Sequence, residues 1–171
     1  AEAFAKACDD GHDKACYNLA YMYEKGYGVR LDSNKALSLY EKTCKNGVGA
    51  SCFNIANIYE DGEVVEKDLF KAVDYLTKAC NLEHSKACYN LAIKYQNEDG
   101  VEKNPLKAAQ LYDKACNLGN SKACYNLGVM YTTDDYFKKD NIKALELFTK
   151  ACGMNLKEAC KAYDNLRGLV Y

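Results

Sequence analysis

Apolar residues recur along the chain with the spacing of helices rather than of strands. Within residues 14–25 the apolar stripe consists of Ala15, Leu19, Ala20 and Tyr23, which fall on one face of a helix. A second stripe ends near Cys44 and consists of Ala36, Leu39, Tyr40 and Thr43. No stretch shows sustained alternation of apolar and polar residues, so the sequence predicts helices and little or no sheet.

A glycine-bearing turn at residues 26–29 separates the two stripes, and glycine is typical of helix C-termini. Asp32 stands where the second helix should begin, so its side chain is a candidate N-cap. The equivalent residues farther along the chain are Asp68, Asn104 and Asp140. Pro105 follows directly after its cap, at the first helical position, where the missing N–H of proline costs nothing.

The cysteines reveal an internal repeat. Ten cysteines form pairs with a spacing of 8, and the pairs recur every 36 residues without an insertion. The segment 14–19 (KACYNL) returns at 86–91 and 122–127, and 50–55 is a looser copy. A single helical hairpin cannot bury its apolar face alone, but stacked neighbours can. The sequence therefore predicts an all-α solenoid of helix pairs.

The repeat register divides one domain, 1–171, into full and partial units. The predicted full repeats are 12–47, 48–83, 84–119 and 120–155. Residues 1–11 match the end of a second helix, and 156–171 match a first helix, made more polar by Lys161 and Asp164 as expected of a C-terminal cap. Because no signal peptide opens the chain and its start falls inside a second helix, we expect a mature form or a fragment of a longer protein.

Each cysteine pair flanks the short connection between one hairpin and the next. Such a turn brings the two residues within the Cα separation of about 5.5–6 Å that a disulfide needs. The predicted pairs are Cys8–Cys16, Cys44–Cys52, Cys80–Cys88, Cys116–Cys124 and Cys152–Cys160. Seven intervening residues do not fit the usual spacing of zinc ligands, and buried free thiols are the remaining alternative. Disulfides would place the protein in an oxidising compartment, which is a periplasm or the outside of a cell.

Composition excludes two classes of protein. Lys and Arg number 23 against 24 Asp and Glu, which gives a formal net charge of −1 and argues against a nucleic-acid-binding protein. No apolar run approaches the length of about 18 residues that a membrane span requires, so none is expected.

The unit ACYNLA-x-x-Y-x-x-G-x-G-V-x-x-D, followed by KAL-x-LY, resembles the Sel1-like repeat, a relative of the tetratricopeptide repeat. The cysteine pair in every unit resembles a narrower group, the Helicobacter cysteine-rich proteins. The departures are at 98–100 in the third unit and at 133–137 in the fourth, where the glycine turn is altered. The resemblance implies a right-handed α/α superhelical solenoid, each repeat stapled by a Cys-x7-Cys disulfide, in a secreted or periplasmic bacterial protein.

The resemblance implies two alternative functions. Sel1-like repeats in general are adaptors that assemble other proteins, whereas the cysteine-rich group is described as penicillin-binding proteins or weak β-lactamases and as proteins that meet a host's immune system. A serine β-lactamase needs S-x-x-K and K-T-G, and neither is present. We expect no catalytic, cofactor-binding or metal-binding residue. A protein or peptide is the expected partner, with a β-lactam or peptidoglycan-like ligand as the alternative.

One polar residue repeats on the first helix of every full unit: Asn18, Asn54, Asn90 and Asn126. These amides either bond to the neighbouring hairpin and lock the stack, or line a concave face and bind the main chain of an extended peptide.

In the binding hypothesis, nearby aromatic residues give contact area and lysines attract a carboxylate. These residues are Tyr17, Tyr21, Tyr89, Tyr125, Lys14, Lys86 and Lys122. Packing between helices is the alternative role of the tyrosines. The acidic residues Glu24, Glu60, Asp61, Glu98 and Asp99 are interpreted as a solvated face, and His12 and His84 as exposed turn residues.

Overall fold

The computed structural model describes residues 1–133, 135–136 and 138–170, without the side chains of Leu169 and Val170. This part of the chain consists of ten helices joined by short turns and contains no strand, as predicted. The helices are α1 (Glu2–Asp9), α2 (Asp13–Lys25), α3 (Ser33–Lys45), α4 (Gly49–Asp61), α5 (Leu69–Asn81), α6 (Ser85–Asn97), α7 (Pro105–Asn117), α8 (Ser121–Tyr131), α9 (Asn141–Gly153) and α10 (Lys157–Val170).

The first of two compact units spans Ala1–His84. Its hairpins are α2 with α3 and α4 with α5, while α1 packs on α2 and α3 packs on α4. Small side chains let the helices approach closely, and larger ones fill the space between them. The side chains with no exposed surface include Ala20, Ala36, Tyr40, Ile55, Ala56 and Leu76.

The second unit spans Ser85–Tyr171. It repeats the same plan with the hairpins α6–α7 and α8–α9, contacts between α7 and α8, and α10 packed on α9. The positions equivalent to the six core residues of the first unit are again buried. They are occupied by the small residues Ala92, Ala108 and Gly128 and by the larger Tyr112, Leu127 and Phe148.

Every predicted N-cap is confirmed. The side chain of the cap residue accepts a hydrogen bond from the backbone N–H three residues later, at 2.9–3.0 Å. The four cap pairs are Asp32 with Lys35, Asp68 with Lys71, Asn104 with Lys107, and Asp140 with Lys143. Each cap satisfies one of the N–H groups that a helix start leaves without a partner.

The capped lysines also hold the two helices of each hairpin together. Each ammonium lies 4.5–5.3 Å from the centre of a tyrosine ring on the preceding helix, which is a cation–π contact. The four pairs are Lys35–Tyr23, Lys71–Tyr59, Lys107–Tyr95 and Lys143–Tyr131. The carbonyl of the same tyrosine accepts the N–H of the cap residue at 2.9–3.0 Å. This contact recurs in all four hairpins, and the sequence pattern alone did not reveal it.

The glycine turn keeps its backbone geometry where its sequence changes. Gly26 and Gly62 end α2 and α4 in the left-handed conformation, with φ of 70° and 74°. Glu98 occupies the equivalent position of the third repeat and adopts φ 60° despite its side chain. In the fourth repeat, Asp134 and Phe137 of the predicted departure lie outside the described residues.

Disulfides join the end of each second helix to the start of the next first helix. The pairs Cys8–Cys16, Cys44–Cys52, Cys116–Cys124 and Cys152–Cys160 have Cα separations of 4.6–4.8 Å, within the range that disulfides adopt. Cys80 and Cys88 are disulfide-bonded too, which gives five disulfides at Cys-x7-Cys spacing. None of the ten cysteines, all of them within the described part, is free.

Candidate functional site

A groove of about 340 Å³ opens between the two hairpins of the first unit. It is bordered by the C-terminal halves of α2 and α4, by the turns that follow them, and by the start of α3. The lining residues that matter below are Glu24, Lys25, Leu31, Asn54, Asn57, Ile58, Asp61, Glu63 and Val64. The left-handed glycines that end α2 and α4 turn the chain back here, so that loop residues face helix residues across the groove.

The hydroxyl of Tyr40 lies next to this groove and links its two sides. It donates a hydrogen bond of 2.7 Å to Oε2 of Glu24 on the same hairpin. The amide of Asn54, on the next hairpin, hydrogen-bonds the same hydroxyl. Because a carboxylate only accepts, the tyrosine hydroxyl is the donor to Glu24, and an Asn54 N–H donates to the phenol oxygen.

The second unit contains the same arrangement with one substitution. The hydroxyl of Tyr112 donates to Oε1 of Gln96 at 2.7 Å, and Asn126 hydrogen-bonds that hydroxyl. Gln96 is the repeat equivalent of Glu24, so the second unit has a neutral amide where the first has a carboxylate. Two of the four repeated asparagines thus link neighbouring hairpins.

Burial and hydrogen bonding shift the titration of both tyrosines. Burial raises the pKa of Tyr112 to about 12, with the hydrogen bond from Asn126 acting in the opposite direction. Burial raises the pKa of Tyr40 well above its usual range, and the bond to Glu24 adds to the effect. Both hydroxyls therefore stay protonated at neutral pH and act as fixed hydrogen-bonding groups.

Asn18 and Asn90 differ from the other two asparagines. The repeat equivalents of Tyr40 that precede them are Phe4 and Leu76, which carry no hydroxyl. Both asparagines are half-buried, and no side-chain hydrogen bond of theirs is found within the described ranges. The four repeated asparagines thus fall into two amides bonded to a tyrosine and two amides without that bond.

The tyrosines of the predicted site contact other aromatic rings. Ring centres lie 5.7 Å apart for Tyr17 and Tyr40, 5.9 Å for Tyr89 and Tyr112, and 5.6 Å for Tyr125 and Phe148. These contacts join the two helices of a hairpin, as the packing alternative predicted, while the rings stay partly exposed. Tyr21 is more exposed, at 42%, and its ring meets Tyr27 edge-on at 6.1 Å.

The predicted lysines Lys14, Lys86 and Lys122 are exposed, and none of the ion pairs found in the described part of the chain includes them. His12 is exposed, but His84 is half-buried and stacks on Phe53 at 4.6 Å between ring centres. The interpretation of His84 as an exposed turn residue was wrong, because the flat ring of Phe53 offers it a packing partner.

Glu24 and Asp99, both interpreted as part of a solvated face, are paired. The interpretation fails at Glu24, whose side chain is 28% exposed, whereas the side chain of Asp99 is 42% exposed. Glu24 accepts the hydrogen bond from the Tyr40 hydroxyl, and its Oε1 also lies 2.5 Å from Nζ of Lys25. Asp99 pairs at 2.5 Å with Nζ of Lys94, whose side chain is buried where the equivalent residues are Met22, Ile58 and Met130. The recurrence of Tyr40 with Glu24 and of Tyr112 with Gln96 was the available sequence signal for the first case.

Neither a metal site nor a membrane-spanning helix is found within the described ranges. No group of three or more His, Cys, Asp or Glu side chains there could hold a metal ion. No helix of this part of the chain is long and apolar enough to cross a membrane.

Hairpins of equal length, joined in register and capped alike, define an α-helical repeat protein. The model of the Sel1 repeat matches at 13–48, 49–84, 85–120 and 121–156, so the chain belongs to the Sel1 repeat family. Sel1 repeats are typical protein-interaction modules. A search of the curated proteins finds no match.

Solved structures support the assignment. Helicobacter pylori cysteine-rich protein B is 32% identical over 72% of this chain and 88% of its own, with a TM-score of 0.59. A Sel1 repeat protein from Oxalobacter formigenes is 26% identical over 93% of this chain, with a TM-score of 0.83. A protective antigen of uropathogenic Escherichia coli, at 24% identity and a TM-score of 0.87, shares the fold. This chain covers 65% and 35% of the latter two chains.

Proposed function

We propose that this protein is an exported scaffold that binds an extended peptide segment of another protein along its first helices, on a concave face. The observation that carries the proposal is the groove of the first unit, which both Asn54 and Asn57 line. An open groove lined by amides suits the main chain of a peptide, which presents N–H and C=O groups in turn.

The hydrogen bond to Tyr40 prepares Asn54 for this role. One of its two N–H groups donates to the tyrosine oxygen, which leaves Oδ1 and the second N–H for a ligand. The amide plane is held in advance, so binding loses less side-chain freedom. Asn18 and Asn90, which lack a tyrosine hydroxyl at the equivalent position, offer their full amides.

The disulfides support a location outside the cytoplasm. Five buried or half-buried disulfides persist in an oxidising compartment and are rare in a reducing one. The similarity to Helicobacter pylori cysteine-rich protein B also supports a location outside the cytoplasm. We infer a secreted or periplasmic bacterial protein. An encounter with host proteins would follow from secretion.

Asparagine substitutions test the binding face. Peptides selected from a random display library on the oxidised protein are the probe, and their affinity is measured by calorimetry. For Asn54→Ala combined with Asn90→Ala we expect about a tenfold loss, equivalent to about 1.4 kcal/mol. Asn34→Ala, at an exposed position on α3, is the matched control and should leave the affinity unchanged.

A photo-crosslinking residue gives an independent readout of the same face. Placed at Tyr21, it should capture the selected peptides, whereas placed at Phe70, which is 75% exposed near the start of α5, it should not. Equal affinity of the double asparagine variant, together with capture at Phe70, would overturn the proposal.

A further inference from the structure

The groove of the first unit combines carboxylates with apolar surface, a pairing that defines the chemistry of its occupant. Glu24, Asp61 and Glu63 line it, and Lys25 is the one basic residue among the lining residues. We propose that the groove receives a lysine or arginine side chain of the bound peptide. This inference rests on the proposed function and adds the identity of one ligand side chain.

Charge complementarity favours a cation. Three carboxylates against one ammonium leave an excess of two negative charges at neutral pH. Glu24 is the least exposed of the three, at 28% of its side chain, so its field is less screened by water than that of a surface residue. The second unit has Gln96 in place of Glu24, which restricts this feature to the first unit.

The apolar lining fits the stem of a long basic side chain. Leu31 is 60% exposed at the edge of the groove, and Ile58 and Val64 are half-buried beside it. Lysine and arginine bury their methylene groups on such surface while the charged end contacts polar groups. A volume of about 340 Å³ lies at the small end of ligand sites and suits one side chain.

The chain itself shows that Glu24 accepts a cation. Nζ of Lys25 lies 2.5 Å from Oε1 of Glu24, and this hydrogen bond raises the pKa of Lys25. The Lys25 side chain is 43% exposed, and exposed ion pairs are worth little. A ligand cation can therefore replace the Lys25 ammonium, which makes Lys25 a competitor at the carboxylate.

The side-chain amide signals of Asn54 and Asn57 provide a direct test by NMR. The oxidised protein is titrated with N-acetyl-arginine amide and, in parallel, with N-acetyl-citrulline amide, which has nearly the same shape without the charge. We expect saturable shifts of both signals with the arginine probe and at most a fifth of that effect with citrulline. The Asn126 signal, whose tyrosine is paired with a neutral glutamine, is the internal control and should not move.

Two variants set the sign of the effect. Glu24→Gln reproduces the arrangement at Gln96, so it should fold normally and weaken arginine binding by about fivefold or more. Lys25→Met removes the competing ammonium and should strengthen binding by about threefold. A merely structural role of Glu24 and Lys25 would not move the two variants in opposite directions.

Equal shifts with arginine and citrulline, no shift with either, or weaker binding to Lys25→Met would each overturn the inference. Its failure is separable from that of the proposed function. If selected peptides lose affinity with the asparagine variants but bind Glu24→Gln like the wild type, the scaffold binds peptides without this side-chain pocket.

Discussion

Thr43 and Ser51 share a buried hydrogen bond, with 2.5 Å between their side-chain oxygens. Neither residue has exposed surface. Thr43 also donates to the carbonyl of Leu39 at 2.9 Å, so the Ser51 hydroxyl is the donor of the pair. The two residues lie next to Cys44 and Cys52, where α3 meets α4. At equivalent positions, the chain has alanine pairs instead.

The unequal bonding of Thr43 and Ser51 predicts unequal mutants. Thr43→Ala leaves the Ser51 hydroxyl buried without its partner and should lower the free energy of unfolding by about 1–3 kcal/mol. Ser51→Ala leaves Thr43 bonded to Leu39 and should cost much less.

The double variant Thr43→Ala with Ser51→Ala reproduces the Ala115–Ala123 pair of the second unit, whose residues are fully buried. It should be more stable than Thr43→Ala alone, as measured by urea unfolding of the oxidised protein. Additive losses would show that the hydroxyl pair does not act as a unit.

Gly128 in α8 is fixed by the ring of Phe148. A Cβ built at Gly128 would lie 2.6 Å from Cε1 of Phe148, whereas the equivalent residues Ala20, Ala56 and Ala92 carry that atom. We expect Gly128→Ala to destabilise by about 1–3 kcal/mol through overpacking, although alanine favours helices by about 1 kcal/mol over glycine.

Another repeat of the chain suggests a second substitution that should restore the stability lost in Gly128→Ala. Ala56 lies opposite Leu76 in the repeat register, so Gly128→Ala combined with Phe148→Leu recreates a natural pair. The double variant should recover most of the lost stability in thermal unfolding. No recovery would mean that the helix spacing, rather than the ring, excludes the methyl group.

Removal of one disulfide should weaken the fold without abolishing it. In the chain-entropy model, closing a loop of this size stabilises by about 2–3 kcal/mol. We therefore expect Cys44→Ala with Cys52→Ala to lower the free energy of unfolding by that amount in the oxidised protein. Compared after full reduction, the variant and the wild type should differ little. Alkylation without prior reduction should modify no cysteine of the wild type, because none is free.

The raised tyrosine pKa values predict a loss of stability at alkaline pH. The pKa of Tyr112 is about 12 in the folded chain and about 10 when unfolded, so the folded state binds its proton more tightly. This contribution is fully present below pH 10 and is lost as the pH rises toward 12. Tyr112→Phe should flatten the decline in unfolding free energy over this range.

The matched control for Tyr112 is Tyr27→Phe, since Tyr27 is 60% exposed. The control should follow the wild-type curve when unfolding is measured by circular dichroism at each pH. An unchanged slope in Tyr112→Phe would exclude the buried phenol as the source of the alkaline sensitivity.

Residues with a local role were predictable from the sequence. The caps at Asp32, Asp68, Asn104 and Asp140 depend on backbone groups three residues away, so composition and register identified them. The helices and the Cys-x7-Cys disulfides likewise follow from spacing within one turn or one short connection. The structural neighbours confirm the repeat fold that these local signals predicted.

Contacts between helices were harder to predict. The four repeated asparagines looked uniform in sequence, yet they differ because the repeat position that precedes each of them carries Tyr40 and Tyr112 in two cases and Phe4 and Leu76 in the other two. Glu24 was predicted to face solvent because the hydroxyl that donates a hydrogen bond to it belongs to Tyr40, 16 residues farther along the chain. Pairing two repeat positions, rather than inspecting each alone, would have revealed both relationships.

The disulfides have a consequence for how a protease would divide the molecule. Each spans a connection between hairpins, such as residues 9–15, while the turns inside the hairpins, such as 26–32, lie outside these loops. A cut within a connection that a disulfide spans separates no fragments until the disulfide is reduced. Cuts at 26–32 and 62–68 are bridged by no disulfide, so together they release a fragment that contains α3, α4 and the Cys44–Cys52 disulfide. The covalent unit is thus offset by half a repeat from the folding unit, and non-reducing electrophoresis of digests would display that offset.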